Sequence, residues 1–159
     1  MLLTEPLLPP VDGRQSERAL AIQRGVGRFL SAHRMAMVTE LPLASGRRAD
    51  IVAIDGRGEI WIVEIKSSVE DLKADLKWPN YRHHCDRLFF ATHDGVPSEL
   101  FPEDCGLMLA DAFSAEITRE APEHRLSAAT RKATLLRFAQ AAALRLHRLH
   151  DPSVDGMID

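Results

Sequence analysis

The segment "RRADIVAIDGRGEIWIVEIKSS", residues 47–68, constrains the fold of this chain more than any other stretch. Two short runs rich in Ile and Val flank the turn signal "DGRG", the pattern of an antiparallel hairpin. Side chains alternate faces along a strand, so Ile60, Ile62, Glu64 and Lys66 share one face. If Ile54 pairs with Ile60 across the turn, Val52 falls opposite Ile62 and Asp50 opposite Glu64. An otherwise apolar face then ends in two facing carboxylates and an ammonium. Like charges placed opposite one another repel, and burial deepens the cost, so the arrangement calls for a cation.

The flanking sequence places this hairpin in an α/β domain. Ala19, Ile22, Val26, Phe29 and Leu30 recur at helical spacing and predict a first helix, despite the propensity cost of Gly25 and Gly27. "MAMVTELPL" predicts a strand closed by Pro42, and "ASGRR" the turn into the hairpin. Beyond the hairpin, Ser68 and Asp71 form a capping-box-like pair, and Val69, Leu72 and Leu76 continue at helical spacing. A second helix therefore leaves directly from the charged end of the hairpin, until Pro79 breaks or kinks it. "RLFFATH" and "GLMLADAF" predict strands, the latter paired with "AEITRE", and an Ala-rich helix spans about 128–150. The expected architecture is a mixed β-sheet flanked by helices over residues 14–150, with an N-terminal tail or packing arm at 1–13 and a C-terminal tail at 151–159.

With 159 residues, 45% of them hydrophobic, the chain suits one domain with a sizeable core. Its formal net charge of -3 leaves any nucleic-acid contact to a local basic surface. Cys85 and Cys105 fit neither a metal nor a disulfide spacing and read as reduced structural thiols. The opening "MLLTEPLLPPVDG" has no basic leading region or small-residue cleavage site, and no run approaches the roughly 18 apolar residues of a spanning helix. A cytoplasmic protein without membrane contact is the expectation.

Two carboxylates offer hard oxygen ligands, which select Mg²⁺ or Mn²⁺ and leave other coordination positions to water and phosphate oxygens. Such a site suits phosphodiester hydrolysis, with Asp50 and Glu64 holding the metal and Lys66 orienting the nucleophile or stabilising the transition state. The bland reading of the same residues is a structural Glu64–Lys66 pair half exposed at a strand end. Asp50 in register favours the metal.

Asp50, an apolar strand, a turn and then Glu64-Ile65-Lys66 resemble the PD-(D/E)XK signature of nucleases with the restriction-endonuclease-like fold. Together with "RRADIVAID", "IWIVEIKSSVEDLKAD", "KWPNY", "CDRLFFA" and "REAPEHRLSAATRKATLLRFA", the chain is similar to the MmcB-like DNA repair proteins, small members of that superfamily. The resemblance implies a restriction-endonuclease-like core, a Mg²⁺-dependent DNA endonuclease activity in repair, and DNA, with a possible repair protein, as partners. Ala49 stands where the signature has its proline, and Lys77 where some superfamily members place a glutamine four residues before the tyrosine, here Tyr81. Tyr81 is thus a substrate-contact candidate only.

Superfamily members often add a further acid. Glu40, on the strand before the hairpin, can reach Asp50 and is the candidate third ligand, or else an ordinary strand-end charge. Arg48 shares the face of Asp50 and either grips phosphate or is a solvated turn residue. Lys73 and Lys77 fall on one helix face near the site, either solvated or attracting phosphate. Between Arg125 and Leu149 there are six Arg or Lys and no acid. Leu135, Phe138, Ala142, Leu146 and Leu149 form the expected buried stripe of the last helix, with Arg137, Arg145 and Arg148 on one flank, as a DNA surface or as partners of acids elsewhere. The same charges are also compatible with a non-catalytic DNA-binding or partner-binding module, or with a structural domain whose carboxylate pair is exposed and metal-free.

Overall fold

The computed structural model describes residues 16–153. The expected arm at 1–13 and positions 154–159 of the expected C-terminal tail lie outside the described residues.

Six strands form one mixed sheet in chain order: β1 (Ala36–Pro42), β2 (Arg48–Ile54), β3 (Ile60–Ile65), β4 (Arg87–Thr92), β5 (Gly106–Ala110) and β6 (Ala115–Arg119). β1, β2 and β3 run antiparallel, β3, β4 and β5 run parallel, and β6 returns antiparallel to β5. The hairpin turn is built by Asp55, whose carboxylate accepts from the backbone N–H of Arg57 and Glu59, and by Gly58, whose φ of 85° an L side chain rarely adopts. Its register is the one the alternation dictates, with Ile54 opposite Ile60 and Val52 opposite Ile62.

Because neighbouring side chains on each strand point to opposite faces, the sheet carries two cores. On one face Ile51, Val63, Phe89 and Met108 pack against Ile22, Val26 and Leu30 of α1 (Glu17–Ala32), whose Ser16 cap accepts from the Ala19 N–H at 3.1 Å. On the other, Val52, Ile62, Phe90 and Leu107 pack against Leu72 of α2 (Val69–Ala74) and against Phe138 and Ala141 of α3 (Ala128–His150). Asp50 and Glu64 belong by parity to this second face.

Two helices differ from the sequence pattern. α2 stops at Ala74 and leaves Leu76 85% exposed. Asp75 takes extended backbone there, and its carboxylate accepts from the Lys77 N–H at 3.0 Å. Pro79 then sits in the first turn of a 3₁₀ segment, Trp78–His84, where its missing N–H costs nothing. In α3, Phe138 is buried and Leu135 and Ala142 pack against the core, but Leu146 and Leu149 are exposed and Thr134 and Ala141 are buried instead. α3 packs mainly against the edge strand β1, to which Arg145 still bonds near the helix end, so Leu146 is exposed because it lies on the side of the helix away from the buried Thr134, Phe138 and Ala141.

A buried acid ties the second face together. Asp86, just before β4, accepts from the N–H of Ile60 and of Leu126 and takes a bidentate pair from Arg131 at 2.6 and 2.7 Å. Although burial opposes its charge, these donors hold the carboxyl below the usual aspartate range. Sequence inspection did not single out this anchor of α3, because its members are scattered along the chain.

Candidate functional site

Backbone pairing between β2 and β3 runs from Ile54–Ile60 to Ile51–Val63, and beyond that the side chains take over. The Asp50 N–H donates to Glu64 Oε1 at 3.1 Å, and the Ile65 N–H donates to Asp50 Oδ2 at 2.8 Å. Each carboxylate thus bridges to the opposite strand, and the two are brought together where the sheet opens.

Their electrostatics follow from this crowding. Glu64 is buried, and burial first, then the neighbouring Asp50 charge and a hydrogen bond shared with it, push its carboxyl well above the usual range. Asp50 is also raised by burial, against the opposing pull of the Ile65 N–H, Glu64 and Lys66. Ionising both at once is penalised despite the nearby Lys66 ammonium, and a further cation beside them would relieve the penalty.

Lys66, the next residue on this face, is buried as well, and its Nζ lies 2.7 Å from Asp75 Oδ2. Burial works against the ammonium, but Asp75, with Asp71 and Glu64 farther out, holds its pKa above the ordinary lysine value. Asp75 is the site residue that sequence reasoning missed. Its role depends on where α2 ends, and the helical pattern through Leu76 concealed that boundary. Tyr81, on the 3₁₀ segment, reaches the same place: its hydroxyl donates to the Arg48 carbonyl at 3.1 Å. Burial first, then Glu64, Asp50 and Asp75, raises its pKa.

The other expected residues are placed differently. Glu40 falls across from Asp50 by count, yet its backbone turns left-handed, with φ of 50°, and pairing passes from Thr39–Ile51 to Leu41–Ala49. Arg145 donates to the carbonyls of Thr39 and Glu40 at this irregularity. Among the described residues no group of three or more His, Cys, Asp or Glu is placed to hold a metal ion, so Glu40 does not join Asp50 and Glu64 in a three-acid cluster. Arg137 donates to the Pro42 carbonyl at 3.4 Å, so both Arg137 and Arg145 fasten α3 to β1. Arg148 is partly buried on the same helix. Lys73 and Lys77 are exposed, and Arg48 is half-buried at the start of β2. No helix among the described residues is long and apolar enough to cross a membrane.

The donor set fits a hard divalent cation. Two facing carboxyls each spend one oxygen on a backbone N–H, and the charge they cannot jointly carry is what Mg²⁺ or Mn²⁺ would neutralise. A family model described as DNA repair protein MmcB-like matches residues 7–153. A solved structure of a protein of unknown function from Silicibacter pomeroyi is 43% identical, with a TM-score of 0.86, over 91% of this chain and 99% of that one. No curated protein matches.

Proposed function

Since the chain belongs to the MmcB-like family of DNA repair proteins, we propose that it is a metal-dependent DNA endonuclease of the PD-(D/E)XK type acting in repair. The observation that carries this reading is the meeting of Asp50 and Glu64 where β2 and β3 part, with Lys66 buried on the same face. The six-stranded mixed sheet flanked by helices is consistent with a restriction-endonuclease-like core. Asp50 and Glu64 would hold Mg²⁺ or Mn²⁺, which supplies Lewis-acid neutralisation of charge on the scissile phosphate. Lys66 contributes a fixed positive charge, kept protonated by Asp75, to stabilise the transition state or orient the attacking group. Tyr81 closes one side of the site through its bond to the Arg48 carbonyl. Arg48, Lys73 and Lys77 would supply positive charge to the phosphate backbone.

A second reading, a DNA-binding or partner-binding module without catalysis, is favoured by the Lys66–Asp75 pair itself, because an ammonium 2.7 Å from a carboxylate is already neutralised. Crystals soaked in Mn²⁺ and cleavage assays on branched, nicked and single-stranded DNA separate the two. The nuclease reading expects anomalous density between Asp50 and Glu64, and cleavage that Asp50→Asn abolishes while DNA affinity stays within about threefold, since phosphate contacts dominate binding. Density without cleavage on the whole panel favours the module. Absence of both overturns the metal site.

A further inference from the structure

The end of the sheet that carries Asp50 and Glu64 also carries a cavity, on the α1 face. β3, β4 and β5 run parallel, so Ile65, Thr92 and Ala110 finish at one end, where the antiparallel β2 begins. Between this end and the first turns of α1 lies a cavity of about 580 Å³, within the roughly 300–1,000 Å³ of small-ligand sites. Ala21, Ala110 and Ala115 give it a small, apolar lining. Two polar groups complete it. In the first, His93 is fixed, its Nε2 donating to the Ser67 carbonyl at 2.8 Å and its Nδ1 accepting from the Gly95 N–H at 2.9 Å. Arg18 Nη1 stands 3.1 and 3.2 Å from the two ring nitrogens, so the guanidinium lies against the ring with its other N–H groups unpartnered among the described residues. In the second group, Asp111 Oδ1 accepts from the N–H of Phe113 and of Ser114 at 2.8 and 2.9 Å. These bonds lock the turn between β5 and β6 and hold the carboxyl below the usual aspartate range. Glu116 follows on β6, and Phe113 is 70% exposed at the tip of the turn.

We propose that this cavity receives one unpaired nucleotide of a bound DNA and favours bases that carry an amino group. Charge decides the class of ligand. A wholly anionic ligand would meet Asp94, Asp111 and Glu116 with one guanidinium to offset them, and a simple amine would leave Arg18 without an anion. A nucleotide uses both groups: its phosphate pairs with Arg18, and an exocyclic amine donates to a carboxylate that would repel a carbonyl in the same place. The alanines leave room for the face of a base, and Phe113 offers a ring on which the next base can stack. His93 joins this cavity to the hairpin site, because the Ser67 carbonyl it holds is next to Lys66. The proposal rests on DNA as the partner and holds whether or not the chain cleaves it.

The test titrates the full, isotope-labelled, metal-free chain by NMR with deoxynucleoside monophosphates in two pairs, each differing at one amino group. These are dCMP against dUMP and dGMP against dIMP. The amide signals of Ala112, Ser114 and Ala115 should shift with Kd on the order of 1 mM for dCMP and dGMP, and about tenfold more weakly for their partners. Arg18→Gln should weaken both members of a pair by about the same factor. Glu116→Gln, whose amide can donate as well as accept, should bring the members of a pair within about threefold of each other. Both side chains are exposed, so melting temperatures should stay close to wild type. Equal binding within each pair, inorganic phosphate binding as tightly as dCMP, or no shift at these amides up to about 20 mM nucleotide overturns the proposal. Neither metal nor cleavage enters these titrations, so their failure is distinguishable from failure of the nuclease reading, which shows as absent Mn²⁺ density or absent cleavage.

Discussion

Glu64 binds a proton more tightly when folded than an ordinary glutamic acid does, and that difference is a stability term. Its unfolded pKa lies near 4.5 and its folded pKa well above, so in between the folded chain holds more protons than the unfolded one. Stability contributed at this position is therefore present below the ordinary carboxylate range and falls as pH rises toward the folded value. Glu64→Gln removes the charge and offers an amide N–H to Asp50. At neutral pH without metal it should stabilise the protein by roughly 1–3 kcal/mol in urea unfolding, and it should flatten the decline of stability as pH rises above the ordinary carboxylate range toward the raised folded value. An unchanged pH slope would count against a raised Glu64 carboxyl. The pairing of Asp50 with Glu64 was legible in the sequence because strand alternation and a short turn leave one register. Asp75 was not, since a partner across a helix end depends on where the helix stops. Glu40 had the right count along β1 but a backbone turned out of the strand, a conformation that no side-chain pattern announces.

At the scale of elements, Gly25 illustrates a signal read for the wrong reason. From the sequence it is a cost to helix propensity. In the fold, a Cβ there would stand 2.0 Å from the Asp111 carbonyl oxygen and 2.5 Å from that of Ser114, so its absence lets α1 approach the turn between β5 and β6. Gly25→Ala gains helix propensity of about 1 kcal/mol and loses more to overpacking against backbone, where nothing flexible can yield. The expected net result is destabilisation by about 1–3 kcal/mol in urea unfolding, while Gly27→Ala, which meets only the end of the Met37 side chain, should be close to neutral. The last helix shows the limit of periodicity as a guide to burial. Its apolar residues surround much of the cylinder, so the buried side is chosen by Arg137, Arg145 and the anchor at Asp86 rather than by hydrophobicity.

For the whole molecule, the two shifted acids act at opposite ends of the pH scale. Asp86 has a folded pKa below its ordinary 3.8, so its contribution is in place above that value and is lost as pH falls through the folded value. Metal-free protein should therefore be most stable in mildly acidic solution, limited by Asp86 below and by Glu64 above. Asp86→Ala strips three donors of a buried acceptor and should cost about 3–5 kcal/mol in urea unfolding, with the acid-side loss of stability reduced. The fold class was readable because every strand carries its own alternation, and the order of strands in the sheet is the order in the chain. That order also bears on synthesis. As the chain leaves the ribosome, each new strand finds its hydrogen-bonding neighbour already made and adds at an open edge, so no later strand has to insert between two earlier ones. What must wait is Asp86, which emerges 45 residues before Arg131 and keeps its carboxylate unclaimed by that guanidinium until the final helix arrives.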